Sequence, residues 1–303
     1  MWQEKLKQVV ENCGGTVWFN EPLSRHTSFR IGGPAEALVT VTTEAGLKLV
    51  QQVCLANQVR MSILGRGTNV LISDQGVAGV VIKLAGEFTQ VTVSGTEIYA
   101  GAGVLLDDIA AVAEDAGMSG TEFLAGIPGT VGGGLISNAG AYGSCLADVV
   151  SEVEVINSLG EKAVLGQGQL INQYRQPVIP PGWWALRVTI KLSVGKGRSV
   201  QSIRQERWTR HPQEPSAGSV FKNPAVLPAG KLIEQCRLKG LALGRAVVSE
   251  RHGNFIVNRG NARFAEVYEL IQIVKAAVEE MTGIELNEEV QLFPHQCSGT
   301  KRR

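Results

Sequence analysis

Cysteine is scarce and dispersed: Cys13, Cys54, Cys145, Cys236 and Cys297 are odd in number, and no two form a C-x-x-C pair. That argues against a zinc ribbon and a disulfide framework, and reduced thiols are expected. The four histidines show no metal-ligand spacing, so no metal is expected. Net charge is nearly absent, with 29 basic against 28 acidic residues. The chain as a whole therefore has no general attraction for nucleic acid or an acidic membrane surface. No apolar run approaches the roughly 20 residues that span a bilayer. The opening MWQEKLKQVVENCGG mixes charged and apolar residues and lacks the unbroken apolar stretch of a signal peptide. The expectation is a cytoplasmic protein without nucleic-acid or membrane partners, a monomer or weak oligomer. Lys301-Arg302-Arg303 reads as a solvated tail.

What is present is ordinary globular material, with 44% apolar residues in a chain of 303, long enough for two or three packed units. Residues 2–12 read as an amphipathic helix stopped by Gly14-Gly15. A strand is predicted at 37–41 and a helix at 44–57 with Leu47, Val50, Val53 and Cys54 on one face; further strands follow at 62–64 and 80–82. From about Thr89 the texture changes to short β-branched runs at 91–93, 97–99, 153–156 and 186–192, interrupted by a helix at 105–116 and a glycine-dense loop. The last third carries a helix at 263–281, in which Phe264, Val267, Leu270, Ile271, Val274, Val278 and Met281 form a core-facing stripe. Boundaries are expected near residues 84 and 200, giving units 1–84, 85–200 and 201–303.

Glycine is abundant, at 36 residues, and two clusters stand out: Gly65-Arg66-Gly67-Thr68-Asn69-Val70-Leu71 and Gly126-Ile127-Pro128-Gly129-Thr130-Val131-Gly132-Gly133-Gly134. Both have the composition that brings backbone N–H groups close to an anion. Val70 replaces the third glycine of a G-x-G-x-x-G fingerprint, and neither cluster is followed by the Lys-Ser/Thr of a P-loop. A plain Rossmann or P-loop site is disfavoured, and two separate loops suit a dinucleotide.

Read in order, the motifs are His26-Thr27-Ser28-Phe29-Arg30-Ile31-Gly32-Gly33, the two glycine clusters, Ser137-Asn138-Ala139-Gly140-Ala141-Tyr142-Gly143, Ala217-Gly218-Ser219-Val220-Phe221-Lys222-Asn223-Pro224 and Val248-Ser249-Glu250-Arg251-His252-Gly253-Asn254. This ordered series resembles the UDP-N-acetylenolpyruvoylglucosamine reductase family, in its shorter branch, over nearly the whole chain. The resemblance implies an α+β fold of the vanillyl-alcohol-oxidase/PCMH-like flavin type: two α/β FAD-binding subdomains and a C-terminal α+β substrate-binding domain. It further implies NADPH as reductant, a UDP-sugar substrate and a place in peptidoglycan synthesis. Residues 65–73 contain neither His nor Cys, so FAD is expected to be non-covalent.

The same resemblance assigns roles residue by residue. Ser219 aligns with the proton donor and Arg175, in Tyr174-Arg175, with the arginine that polarises the substrate carboxylate. Glu289 aligns with the acid that stabilises the enol, its neighbour Glu288 leaving a question of register. Cofactor contacts are expected from Gly65, Arg66, Gly67, Thr68, Asn69, Val70, Leu71, Ile127, Gly129, Thr130, Gly132, Gly133, Ser137, Asn138, Ala139 and Gly140. Substrate contacts are expected from Tyr142, Arg210, Lys222 and Asn223. Two other readings stay open: an oxidase or dehydrogenase of the same flavin fold, and a binding protein without turnover.

Overall fold

A computed structural model describes residues 1–294; Cys297 and the tail Lys301-Arg302-Arg303 lie outside the described residues. The first unit is a mixed sheet in the order β1 (Thr16–Pro22), β2 (Pro34–Val41), β5 (Val77–Leu84), β3 (Met61–Ile63). Strand β1 runs antiparallel to β2, while β2 and β3 both run parallel to β5. Buried on both faces, β2 and β5 read as near-continuous apolar runs, as parallel strands do. Helices α1 (Trp2–Asn12) and α2 (Glu44–Ala56) cover one face through Leu6, Val10, Leu47, Val50 and Cys54. The Thr43 hydroxyl caps α2 by accepting from Gly46 N at 3.1 Å. Burial pushes the Cys54 thiol up to about 12, so it behaves as a small apolar side chain. Sequence alone did not signal β1, an edge strand whose side chains are mostly exposed.

The second unit is a five-stranded antiparallel sheet in the order β12 (Lys162–Gly166), β11 (Val150–Asn157), β13 (Trp183–Lys191), β7 (Glu97–Gly101), β6 (Val91–Ser94). Helices α3 (Leu106–Asp115), α4 (Val131–Ser137), α5 (Leu146–Val149) and α6 (Val200–Arg210) share its core. The boundary expected near 200 falls at the start of α6, whose Val200 and Ile203 pack within that core. Residues 131–137, read from sequence as part of a loop, are helical despite three successive glycines. Each glycine disfavours the helix by about 1 kcal/mol relative to alanine, yet a Cβ at Gly134 would stand 2.7 Å from Leu146 Cδ1 and one at Gly132 3.1 Å from Ala102. Close packing requires what propensity opposes.

The third unit is an antiparallel sheet in the order β15 (Ser216–Ser219), β18 (Phe255–Asn258), β17 (Ala246–Val248), β16 (Ala242–Leu243), backed by α7 (Ala229–Gln235) and α8 (Phe264–Thr282). Helix α8 buries Val267, Leu270, Ile271, Val274 and Val278, each burial of this kind being worth about 1.5–3 kcal/mol. Met281, expected in the same stripe, is 62% exposed because the last turn runs past the core. Gly283 ends the helix in the left-handed region at φ +70°. The chain then returns to the first unit. Strand β19 (Gln291–Phe293) pairs in parallel with β4 (Val70–Ile72), directly after the first glycine loop. This return brings Glu289 beside Asn69.

Candidate active site

A cleft of about 1260 Å³ lies between the three units. That exceeds the 300–1,000 Å³ typical of a single small-ligand pocket, so there is room for a dinucleotide together with part of a second ligand. Residues 65–70 line one side, and Ile127, Gly129, Thr130, Gly132, Gly133, Ser137, Ala139 and Gly140 line another. Leu71 faces the hydrophobic core behind the loop, and Asn138 is fully buried beneath the lining.

The first glycine loop offers free donors. Among the described residues, the backbone N–H groups of Arg66, Gly67, Thr68 and Asn69 find no acceptor. Gly67 sits at φ +63°, and a Cβ there would collide with the backbone of His26 and Thr27. Unpaired N–H groups at a turn lining a cleft suit an anion. The second loop has the same composition and a different use. Val131 N–H donates to Val104 O, Gly132 N–H to Ala102 O and Gly134 N–H to Thr130 O, while Gly133 N–H is capped by the Thr130 hydroxyl. Gly126 N–H donates to Asp107 at 2.6 Å. Both Asp107 oxygens accept from Arg204, at 2.9 and 3.0 Å. Burial would raise the Asp107 carboxyl, but the Arg204 guanidinium and the Gly126 N–H outweigh it and hold it below its ordinary value.

One end of the cleft gathers the polar groups. Gly218, at φ +76°, turns the chain into Ser219, whose main chain pairs with Phe255. Residues 219–222 are held on both sides. Val220 N–H donates to Asn254 O at 2.9 Å, Glu289 N–H to Val220 O at 2.7 Å and Lys222 N–H to Asn287 O at 2.8 Å. Asn69 Nδ2 donates to Glu289 O at 3.1 Å, tying this ladder to the first glycine loop. Ser219, Arg175 and Glu289 all line the cleft. Lys222 lines an adjoining recess of about 210 Å³ with Arg175 and Glu289.

Arg175 adopts φ +53°, a conformation costing a non-glycine residue about 1–2 kcal/mol. Its Nη1 donates to Asn138 O and its Nη2 to Gly140 O, both at 3.1 Å. Its Nε lies 2.7 Å from Glu289 Oε1 without being aligned as a hydrogen bond, so the contact is an ion pair. Burial raises the Glu289 carboxyl above its ordinary value, and this outweighs the lowering by Arg175 and Lys222. Of the two glutamates only Glu289 lines the cleft; Glu288 borders the adjoining recess and pairs with Lys275 at 2.7 Å, which holds its pKa below the ordinary value against the effect of burial.

Three residues expected at the substrate, Tyr142, Arg210 and Asn223, are not among those lining the cleft or its recess. Tyr142 is exposed under the Arg198 guanidinium, 5.0 Å from its ring centre. Arg210 pairs with Glu206 at 2.8 Å on the outer surface. Asn223 accepts from Ala229 N–H at 3.1 Å, at the start of α7. Sequence reading did not name several cations that line the cleft, among them Lys83, Arg204 and Arg207. Burial, then the neighbouring Arg66, lowers the Lys83 ammonium; burial also lowers Arg207, whose Nε donates to Gly126 O at 3.2 Å. His211 also lines the cleft, its pKa pushed down to about 4 by burial first and by Arg207 next. The signal for Arg207 was available: Val200, Ile203 and Arg207 follow helical spacing on the inward face of α6.

Residues 210–293 match the C-terminal domain of UDP-N-acetylenolpyruvoylglucosamine reductase, and residues 35–166 match the FAD binding domain. The chain is 41% identical over 295 residues to the UDP-N-acetylenolpyruvoylglucosamine reductase of Caldanaerobacter subterraneus subsp. tengcongensis, covering 95% of this chain and 97% of that protein. It belongs to the UDP-N-acetylenolpyruvoylglucosamine reductase family. A second relative, UDP-N-acetylenolpyruvoylglucosamine reductase 2 of Symbiobacterium thermophilum, is 40% identical over 96% of each chain. The crystal structure of the reductase from Thermus caldophilus superposes with a TM-score of 0.79 at 38% identity, over 92% of this chain and all of that one.

Membership and the matched domain make the chain an FAD-dependent oxidoreductase with an α+β flavin fold. The residues present fit that cofactor. The free N–H groups of 66–69 suit its pyrophosphate, and Arg66 and Lys83 supply positive charge beside them. Among the described residues no cluster could hold a metal ion, and no helix is long and apolar enough to cross a membrane.

Proposed function

We propose that the chain reduces the enolpyruvyl ether of UDP-N-acetylglucosamine enolpyruvate to UDP-N-acetylmuramate, with NADPH as reductant, in the cytoplasmic phase of peptidoglycan synthesis. The observation that carries this reading is the convergence of Ser219, Arg175, Glu289 and Lys222 at one end of a glycine-lined cleft. Bound FAD supplies the hydride transfer. The protein's own part begins with Arg175, whose permanently charged fork binds the substrate carboxylate and stabilises the negative charge that grows on it. Glu289, biased towards its neutral form by burial, hydrogen-bonds the developing enol. Ser219 Oγ–H protonates the carbon next to the carboxylate; a hydroxyl is a weak acid, but an enolate is a strong enough base to take its proton.

In this reading residues 1–84 and 85–200 clasp the non-covalent cofactor, and 201–303 present the substrate. Lys222 is the retained substrate contact, since Tyr142, Arg210 and Asn223 lie off the cleft lining. The test is Ser219→Ala. The reading expects FAD still bound and still reduced by NADPH, with product formation slowed about 10²–10⁴-fold. In D2O, the product of the unmodified protein carries deuterium at the carbon next to the carboxylate. Product formation by Ser219→Ala at the unmodified rate would remove the serine from the reaction.

A further inference from the structure

Asn138 closes α4 in the left-handed region, at φ +44°, and is 0% exposed. All four of its polar groups are partnered. Its N–H donates to Gly134 O as the helix cap, and its Oδ1 accepts from Ala147 N–H at 3.1 Å. Its Nδ2 donates to Gln173 O at 3.0 Å, and its main-chain carbonyl accepts from Arg175 Nη1 at 3.1 Å. Two of these four bonds therefore reach the same three-residue segment, one to its backbone and one to its guanidinium.

That segment needs an external brace. Arg175 occupies a backbone conformation that L-residues avoid, and the Gln173–Gln176 turn before Pro177 supplies a single main-chain bond at 3.1 Å. Asparagine meets the local demands: it tolerates φ above zero, and its amide offers a donor and an acceptor from one short side chain. Aspartate would keep the acceptor for Ala147 but put a lone pair against the Gln173 carbonyl. Glycine would keep the backbone angle and lose both side-chain bonds.

We propose that Asn138 is a positioning residue, fixing the backbone and guanidinium of Arg175 so that the fork meets the substrate carboxylate. The inference rests on the role proposed above for Arg175. It assigns Asn138 to the arginine rather than to the cofactor, and to the second half of the reaction alone.

The test is a double-mutant cycle with Asn138→Gly and Arg175→Ala, read separately on flavin reduction by NADPH and on reoxidation by the enolpyruvyl sugar. Asn138→Gly is expected to retain FAD, leave flavin reduction within about twofold of unmodified protein, and slow reoxidation by about 100-fold, the penalty of a small misplacement. In the Arg175→Ala background it should add less than about twofold. Asn138→Asp, which keeps the backbone angle but sets a lone pair against the Gln173 carbonyl, should slow reoxidation at least as much as Asn138→Gly, and provides the same cycle if the glycine variant folds poorly. Full, multiplicative loss on top of Arg175→Ala, or equal loss in both half-reactions, would overturn the proposal while leaving the arginine's role intact. Reoxidation of Arg175→Ala at the unmodified rate would overturn both.

Discussion

The two glycine loops share a composition and differ in what their backbones do. Residues 65–69 line the cleft, and their N–H groups are left without protein acceptors among the described residues. In residues 126–134 most are committed to Asp107, Ala102, Val104 and Thr130. Glycine in the first loop opens a place for an anion; in the second it lets α4 lie against Ala102, Leu106 and Leu146. The loops meet where a Cβ on Gly65 would approach Thr130 Oγ1 to 2.5 Å, so packing in one sets the wall against which the other binds. The lesson is that a glycine cluster becomes a ligand cradle only where the fold leaves its donors unpaired.

The largest expected effect is at Gly67. Gly67→Ala requires a left-handed alanine, at about 1–2 kcal/mol, and a collision with the His26 and Thr27 backbone. Fluorescence titration should show FAD affinity falling by more than about tenfold, the equivalent of 1.4 kcal/mol. Retained affinity would mean that the first loop is not the cradle.

Gly134→Ala should behave oppositely. Its Cβ meets Leu146 and Leu106 inside the core, and overpacking of this kind costs about 1–3 kcal/mol, offset by about 1 kcal/mol of helix propensity. Thermal melts should show a small net loss of stability, with FAD affinity little changed. Loss of FAD without loss of stability would erase the distinction between the loops.

The smallest effect concerns acid. The second loop hangs on Asp107, whose carboxyl is held below its ordinary 3.8. A depressed carboxylate contributes stability that is present above its unfolded value and lost as pH falls through the folded one. The melting temperature should therefore decline below about pH 4, and Asp107→Asn should start lower and decline less. Parallel curves for the two proteins would remove Asp107 from the anchoring of the loop.

Much of this was legible in the sequence, and what was not has identifiable causes. Helix α8 declared itself through seven spaced apolar residues, six of which lie on or against the core; Met281 failed only because the helix outruns its support. Ser219 and Glu289 sit in recognisable motifs, but their proximity depends on the return of β19 to β4, a long-range pairing that no local pattern encodes. Arg210 was named by motif position; it pairs with Glu206 at the surface, and Arg207 on the inward face of α6 lines the cleft. Asn138 looked like a cofactor contact because it stands among residues that line the cleft. Its full burial and its bonds to Gln173 and Arg175 are the ground for assigning it to the arginine instead.

The measurement that bears most directly on the whole account is anaerobic and spectroscopic. The purified protein is scanned in the visible range, NADPH is added, and then the UDP-enolpyruvyl sugar. The account predicts a flavin spectrum that bleaches with NADPH and returns with the sugar. A flavin that bleaches and stays bleached would contradict the proposed substrate, and a protein that takes up no FAD would contradict the reading of the cleft itself.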